Sequence, residues 1–178
     1  MSEKDKNQID LSQDYSDLIK CLEGFVDTNK ASDEEAVYTA SIFLGWLKRK
    51  VELVSNENNF AIPPETDLRR SKVFWVDFGF NIGQEFGGKH PAIILRVSGQ
   101  QVFVLPLSSQ APDDDKKNLS MYVKVPMVYD IPPMTRWANI LNITCVSVQR
   151  IDFNSRTGRV PGPILDKISK AISMCGIR

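Results

Sequence analysis

Apolar residues recur in steps of three and four from Leu11. Leu11, Tyr15, Leu18, Ile19, Leu22, Phe25 and Val26 fall on one face of a helix. Ser32 with Glu35 three residues on reads as a capping box, so a second helix is expected to start there. Its apolar face, Val37, Ala40, Leu44, Leu47, Val51 and Val54, is a heptad-like seam widened by Phe43 and Trp46. Together they predict a helical hairpin joined by Thr28–Ala31. The cluster Asn56–Asn59 and Pro63-Pro64 then reads as a linker, and the polar residues 1–10 as a disordered lead-in.

After Asp67 the period falls from near 3.6 to 2. Val73–Phe78, Ala92–Val97, Val102–Leu107, Met121–Val125 and Ile140–Val148 are short β-branched or aromatic runs separated by Gly, Pro and Asn. Ser98-Gly99-Gln100 is a hairpin turn signal. Asn81–Lys89, with three glycines, predicts a long mobile loop, and Ala111–Asn118 a second exposed loop. Pro161-Gly162-Pro163 opens a last helix whose buried face is Ile164, Leu165, Ile168, Ala171 and Ile172, and Gly176 is its stop. The expected architecture is α+β and mainly β: a helical N-terminal extension and linker over 1–66, then a small, strongly bent sheet or barrel over 67–178.

The 178 residues are 42% apolar and 25% charged, enough for an ordinary core. No apolar run approaches about 18 residues, and the first ten residues lack an apolar h-region, so neither a transmembrane helix nor a secretory signal is expected. Cys21, Cys145 and Cys175 are odd in number and widely spaced, which fits reduced thiols in a cytoplasm. The formal charge is zero, which excludes a bulk polycation that coats DNA. That zero conceals an asymmetry. Residues 1–66 hold seven Lys/Arg and thirteen Asp/Glu, whereas the remainder holds fifteen and nine. A basic domain suits phosphate, and an acidic segment on the same chain suits competition for the same face, although a solvated surface would look the same.

The common catalytic patterns fail. There is no GxSxG, no Walker A and no dinucleotide-binding glycine pattern, and a single histidine with no CxxC excludes the usual zinc motifs. Asp113-Asp114-Asp115 reads as solvated loop surface more than as a cation site. No metal and no cofactor is expected. What remains is one compact set. Gly83-Gln84-Glu85-Phe86-Gly87-Gly88-Lys89-His90-Pro91 leads into the strand at Ala92, and the next strand ends in Pro106-Leu107-Ser108-Ser109-Gln110. If Ser98–Gln100 turns the chain tightly, His90 and Ser108 meet at one rim beneath the glycine-rich loop. An imidazole beside a hydroxyl and Lys89 could bind and polarise a phosphate. The plainer reading is a histidine entering a strand and a serine closing a turn. Phe86 and Trp137 read either as packing or as stacking platforms for unpaired bases.

These residues also carry a family resemblance. Arg70-Ser71-Lys72-Val73-Phe74-Trp75-Val76-Asp77-Phe78 resembles the opening strand of MazF/PemK-type toxins. Gly83-Gln84-Glu85 with Gly87-Gly88-Lys89-His90-Pro91 resembles their first loop, Val104–Ser109 their "vvPlTS" strand end, and Ile140–Asp152 their later strand. The ordered set spans about 110 residues from Arg69 onward; residues 1–66 lie outside it. The resemblance implies an SH3-like small β-barrel of the MazF/PemK/CcdB type that homodimerises. It further implies metal-independent, sequence-selective cleavage of single-stranded RNA by 2′-hydroxyl attack, and neutralisation by a small antitoxin. The family's loop arginine falls on His90 and its threonine on Ser108, the implied catalytic pair. Glu85, Lys89, Ser109, Ser147 and Arg150 are the implied RNA contacts. The later-strand arginine falls on Val146, with Arg150 the nearest basic residue. Exchanging a permanent bidentate cation for a titratable ring leaves a second reading: a catalytically weak or inactive module that binds RNA or protein.

Overall fold

In the computed structural model, residues 9–176 are described; the expected disordered lead-in falls almost wholly outside them. The chain divides into two compact units after Val51. The first holds α1 (Leu11–Lys30) and most of α2 (Glu34–Ser55), a helical hairpin. Asp10 caps α1, its carboxylate accepting from the Ser12 and Gln13 N–H groups at 3.0 Å. The cap of α2 is Asp33, which accepts from Ala36 N–H at 2.8 Å. The expected Ser32 cap instead donates to the Thr28 carbonyl, the back-bond that short hydroxyl side chains make at a helix end. Phe25 and Phe43 meet edge to face at 5.0 Å across the seam. Burial within the pair is thin: no residue of α1 and only Ala40 of α2 is fully buried.

The second unit is a curled antiparallel sheet with a C-terminal helix. Strands β1 (Lys72–Asp77), β2 (Lys89–Ser98), β3 (Gln101–Pro106), β6 (Thr144–Ser147), β7 (Ile151–Asp152) and β8 (Gly158–Arg159) form one sheet in the order β6-β3-β2-β1-β7, with β8 also on β1. Strands β4 (Tyr122–Val125) and β5 (Arg136–Asn139) form a separate ribbon. The β2–β3 hairpin closes through Gly99 and Gln100 between Ser98 and Gln101, with Gly99 at φ 57°, the conformation such a tight turn demands. A register shift between Ile94 and Arg96 bends this hairpin and curls the sheet.

Alternation along the strands builds two cores. Val73, Ile93, Leu105 and Leu107 face one side, where Ile164, Ile168 and Ala171 of α3 (Gly162–Met174) and the β4–β5 ribbon cover them. Phe74, Val76, Ala92, Ile94, Val102 and Val104 face the other, with Val146, Val148 and Ile151. Phe60, Ile62 and Leu68 pack on this second core, so the segment read as a linker is part of the folded unit from Phe60 onward.

The strand pattern differs from expectation in two places. The run Ile140–Val148 is broken: 3₁₀ turns occupy Ile140–Asn142 and Val148–Arg150, leaving only Thr144–Ser147 as strand. Asn139 and Ser147 cause this, each accepting from the N–H two residues on, at 3.1 and 3.3 Å, a local bond that competes with the ladder. Strand β5 had no sequence signal, because it is four residues long and follows Pro132-Pro133.

Candidate functional site

The β2–β3 register pairs Ala92 with Pro106, and Leu107 N–H donates to the Pro91 carbonyl at 2.8 Å, so position 90 lies across from position 108. The rim expected from the sequence is therefore present. Its two side chains are used differently. Ser108 is locked to β5 by paired backbone bonds with Trp137, at 2.8 and 2.9 Å. Its Oγ accepts from Gln110 N–H at 3.0 Å, which leaves the hydroxyl proton to donate elsewhere. His90 lies half-buried with its ring 4.7 Å from that of Phe86, which packs edge to face on Phe78 at 5.3 Å. Burial lowers the imidazole pKa below its ordinary value, opposed by the Leu107 carbonyl, which favours the protonated ring. Burial thus favours the neutral ring of His90 over its cation.

The loop above this rim, expected to be long and mobile, is tied at its neck. Phe78 N–H donates to the Gly88 carbonyl at 2.8 Å and Gly88 N–H to the Gly79 carbonyl at 2.7 Å. Asn81 Nδ2 donates to the Phe86 carbonyl at 2.7 Å, holding the backbone of the residue whose ring covers His90. Gly87 is required there, since a Cβ would stand 2.8 Å from the Gly79 carbonyl oxygen.

Two grooves share Phe86 and Asn142 as their common wall. One, about 600 Å³, is lined by Glu85, Thr144, Cys145, Ser147 and Arg150. The other, about 350 Å³, is lined by Gln84, Ser108, Gln110, Tyr122 and Trp137. Arg150 Nη1 donates to the Phe78 carbonyl at 3.1 Å, which sets the guanidinium against the loop base. Val146, where the resemblance expected an arginine, is buried in the second core, so Arg150 is the guanidinium of this groove. Glu85 accepts from Ile82 N–H at 3.3 Å and so shapes its own loop. Ser147 caps the following 3₁₀ turn. Ser109 is exposed and lines neither groove.

Lys89 does not join this cluster. Alternation sends it away from His90, and its ammonium lies 2.6 Å from Asp152. Lys89 and then Ser155, as hydrogen-bond donors, hold the Asp152 carboxyl well below the usual carboxylate range. Tyr122 and Asn142 were not legible as site residues, because no spacing rule joins segments that meet only through sheet pairing. Among the described residues no three His, Cys, Asp or Glu side chains gather as metal ligands, and no helix is long and apolar enough to cross a membrane.

Comparison with known proteins adds the following. MazF from Deinococcus radiodurans (Form-I) is similar over 66% of this chain and 99% of its own, at 17% identity and a TM-score of 0.48. The MazE-MazF structure (Form-II) from the same organism matches over 64% and 100%, at 17% identity and 0.45. Mycobacterium tuberculosis toxin MazF-mt6 matches over 58% and 94%, at 14% and 0.45. No curated protein matches the chain in sequence. The sequence model of the PemK-like, MazF-like toxins matches residues 69–175, the span that holds the curled sheet, both grooves and the rim. With well over half of its length inside that match, the chain belongs to the PemK-like, MazF-like toxin family of type II toxin-antitoxin systems.

Proposed function

We propose that the chain is a metal-independent endoribonuclease that cuts single-stranded RNA at a preferred short sequence. The family is typically endoribonucleolytic. The observation that carries the reading for this chain is the placement of Ser108 and Arg150 on adjoining grooves that share Phe86 and Asn142, with the His90 ring against Phe86.

In the reaction, His90 takes the proton from a ribose 2′-hydroxyl as the O2′–P bond forms. Arg150 and the Ser108 hydroxyl donate to the charge that builds on the phosphoryl oxygens. The P–O5′ bond breaks, O5′ takes a proton from solvent water, and the products are a 2′,3′-cyclic phosphate and a 5′-hydroxyl. The Phe86 ring covers His90, so that side chain swings aside when RNA binds while the loop stays tied at its neck. A small antitoxin partner and a homodimeric state follow from the same family reading.

The placement of His90 behind Phe86 favours a second reading, a module that binds RNA without cutting it. Incubating the purified full chain with single-stranded RNA in EDTA separates the two. Cleavage leaving cyclic phosphate ends is expected, with His90→Ala and Ser108→Ala each slower by about 10²-fold or more. Binding without cleavage selects the module. Full activity in His90→Arg would show that position 90 supplies charge and not proton transfer.

A further inference from the structure

The smaller groove differs in chemistry from its neighbour. Trp137 and Tyr122 supply aromatic surface, and Gln84, Gln110 and Asn142 supply amides. Among the described residues these three amide side chains make no hydrogen bond within the protein. Lys116, the cation on this wall, is paired with Asp113, so the groove is close to neutral. A neutral groove with an aromatic wall and unengaged amides is poorly suited to a phosphate. It suits a flat, uncharged ring that carries both donors and acceptors.

The backbone of Trp137 is also held beside the reaction rim. The backbone bonds between Trp137 and Ser108 join the aromatic residue to the hydroxyl on one rung of the fold, and Phe86 and Asn142 connect the groove to the one holding Arg150. From these observations, and resting on the nuclease reading above, we infer that this groove is a nucleobase subsite. One unpaired base, immediately beside the phosphate under attack, stacks on Trp137. Gln110 and Asn142 read its edge, and the groove sets the sequence preference at that single position.

The test uses the full chain and short oligoribonucleotides whose 2′-hydroxyls are methylated, so that binding is read without cleavage. 2-Aminopurine is placed at each position in turn, and its fluorescence falls when the ring stacks. One position is expected to be quenched by the wild type. Trp137→Leu should lose that quench and weaken binding by about 5- to 100-fold, the usual scale for a base–aromatic stack, while Trp137→Phe retains most of both. Because Trp137 lies in a strand, Gln110→Ala on the exposed turn is the companion variant. Cleavage-site profiles on a random RNA pool should show altered preference at one position and none elsewhere. Unchanged profiles and unchanged quenching in Trp137→Leu and Gln110→Ala overturn the subsite while leaving the nuclease reading intact. A wild type that binds and is quenched at one position, yet cuts no RNA, overturns the nuclease reading and keeps the subsite. Quenching at no position overturns the subsite.

Discussion

Replacing Phe86 by Ala removes the ring that covers the only histidine of the chain. That ring lies 4.7 Å from His90 and 5.3 Å from Phe78. A fully buried Phe→Ala change costs about 3–5 kcal/mol; for a half-buried loop ring the expected loss at neutral pH is about 2 kcal/mol. The effect on His90 has a defined sign. Burial is the main cause that lowers its pKa, so the variant should titrate closer to the ordinary value near 6.5. In the wild type the folded state prefers the neutral ring. That preference costs nothing well above pH ~6.5, and it destabilises the fold as pH drops through ~6.5 toward the lowered folded value. The variant loses this acid-side penalty. At pH 6 an unperturbed imidazole is about one quarter neutral, whereas the wild-type ring is more so. The variant's kcat/KM at pH 6, which reports the free enzyme's titration, should therefore fall by up to about fourfold relative to its own plateau at pH 8 compared with the wild type. Proton NMR reads the titration directly, since a single imidazole gives a single set of signals. An unchanged midpoint in Phe86→Ala would refute the reasoning, because some other group would then be desolvating His90.

Lys89→Met should raise the Asp152 pKa. A depressed carboxylate contributes stability above about pH 4 that is lost as pH falls, so the gap between variant and wild type in urea, about 1 kcal/mol for so exposed a lysine, should narrow from pH 7 toward pH 2. A gap of equal size at both ends would count against the ion pair. In Gly158→Ala the new Cβ would lie 2.7 Å from the Tyr129 carbonyl oxygen and 2.8 Å from Val128 Cγ1, costing about 1–3 kcal/mol by thermal unfolding. Gly162→Ala meets nothing within 4 Å and should be close to neutral. Deleting residues 1–51 leaves Phe60 and Ile62 on the second core, whereas deleting 1–66 removes them. The longer deletion should be the less stable by about 2 kcal/mol in urea, and equal midpoints would show that the segment adds nothing.

Local chemistry made much of this molecule legible in its sequence. Steps of three and four announced α1, α2 and the buried face of α3, because a helix shows its neighbours every 3.6 residues. Alternation and turn residues announced β1 to β4, and Gly99 marked the hairpin that sets position 90 across from position 108. What each of those side chains does was decided by tertiary structure. Phe86 folds back over His90 because the Asn81 amide holds its carbonyl, and Lys89 turns to Asp152, sixty-three residues away. Arg150 enters the larger groove because Ser147 breaks the strand before it into a 3₁₀ turn. Trp137 reaches Ser108 through a four-residue strand that propensity alone would not have favoured. A pattern along the chain states which face a residue takes within its own element. Which distant group it meets, and whether a charge is thereby paired or a ring desolvated, depends on how the sheet curls and pairs.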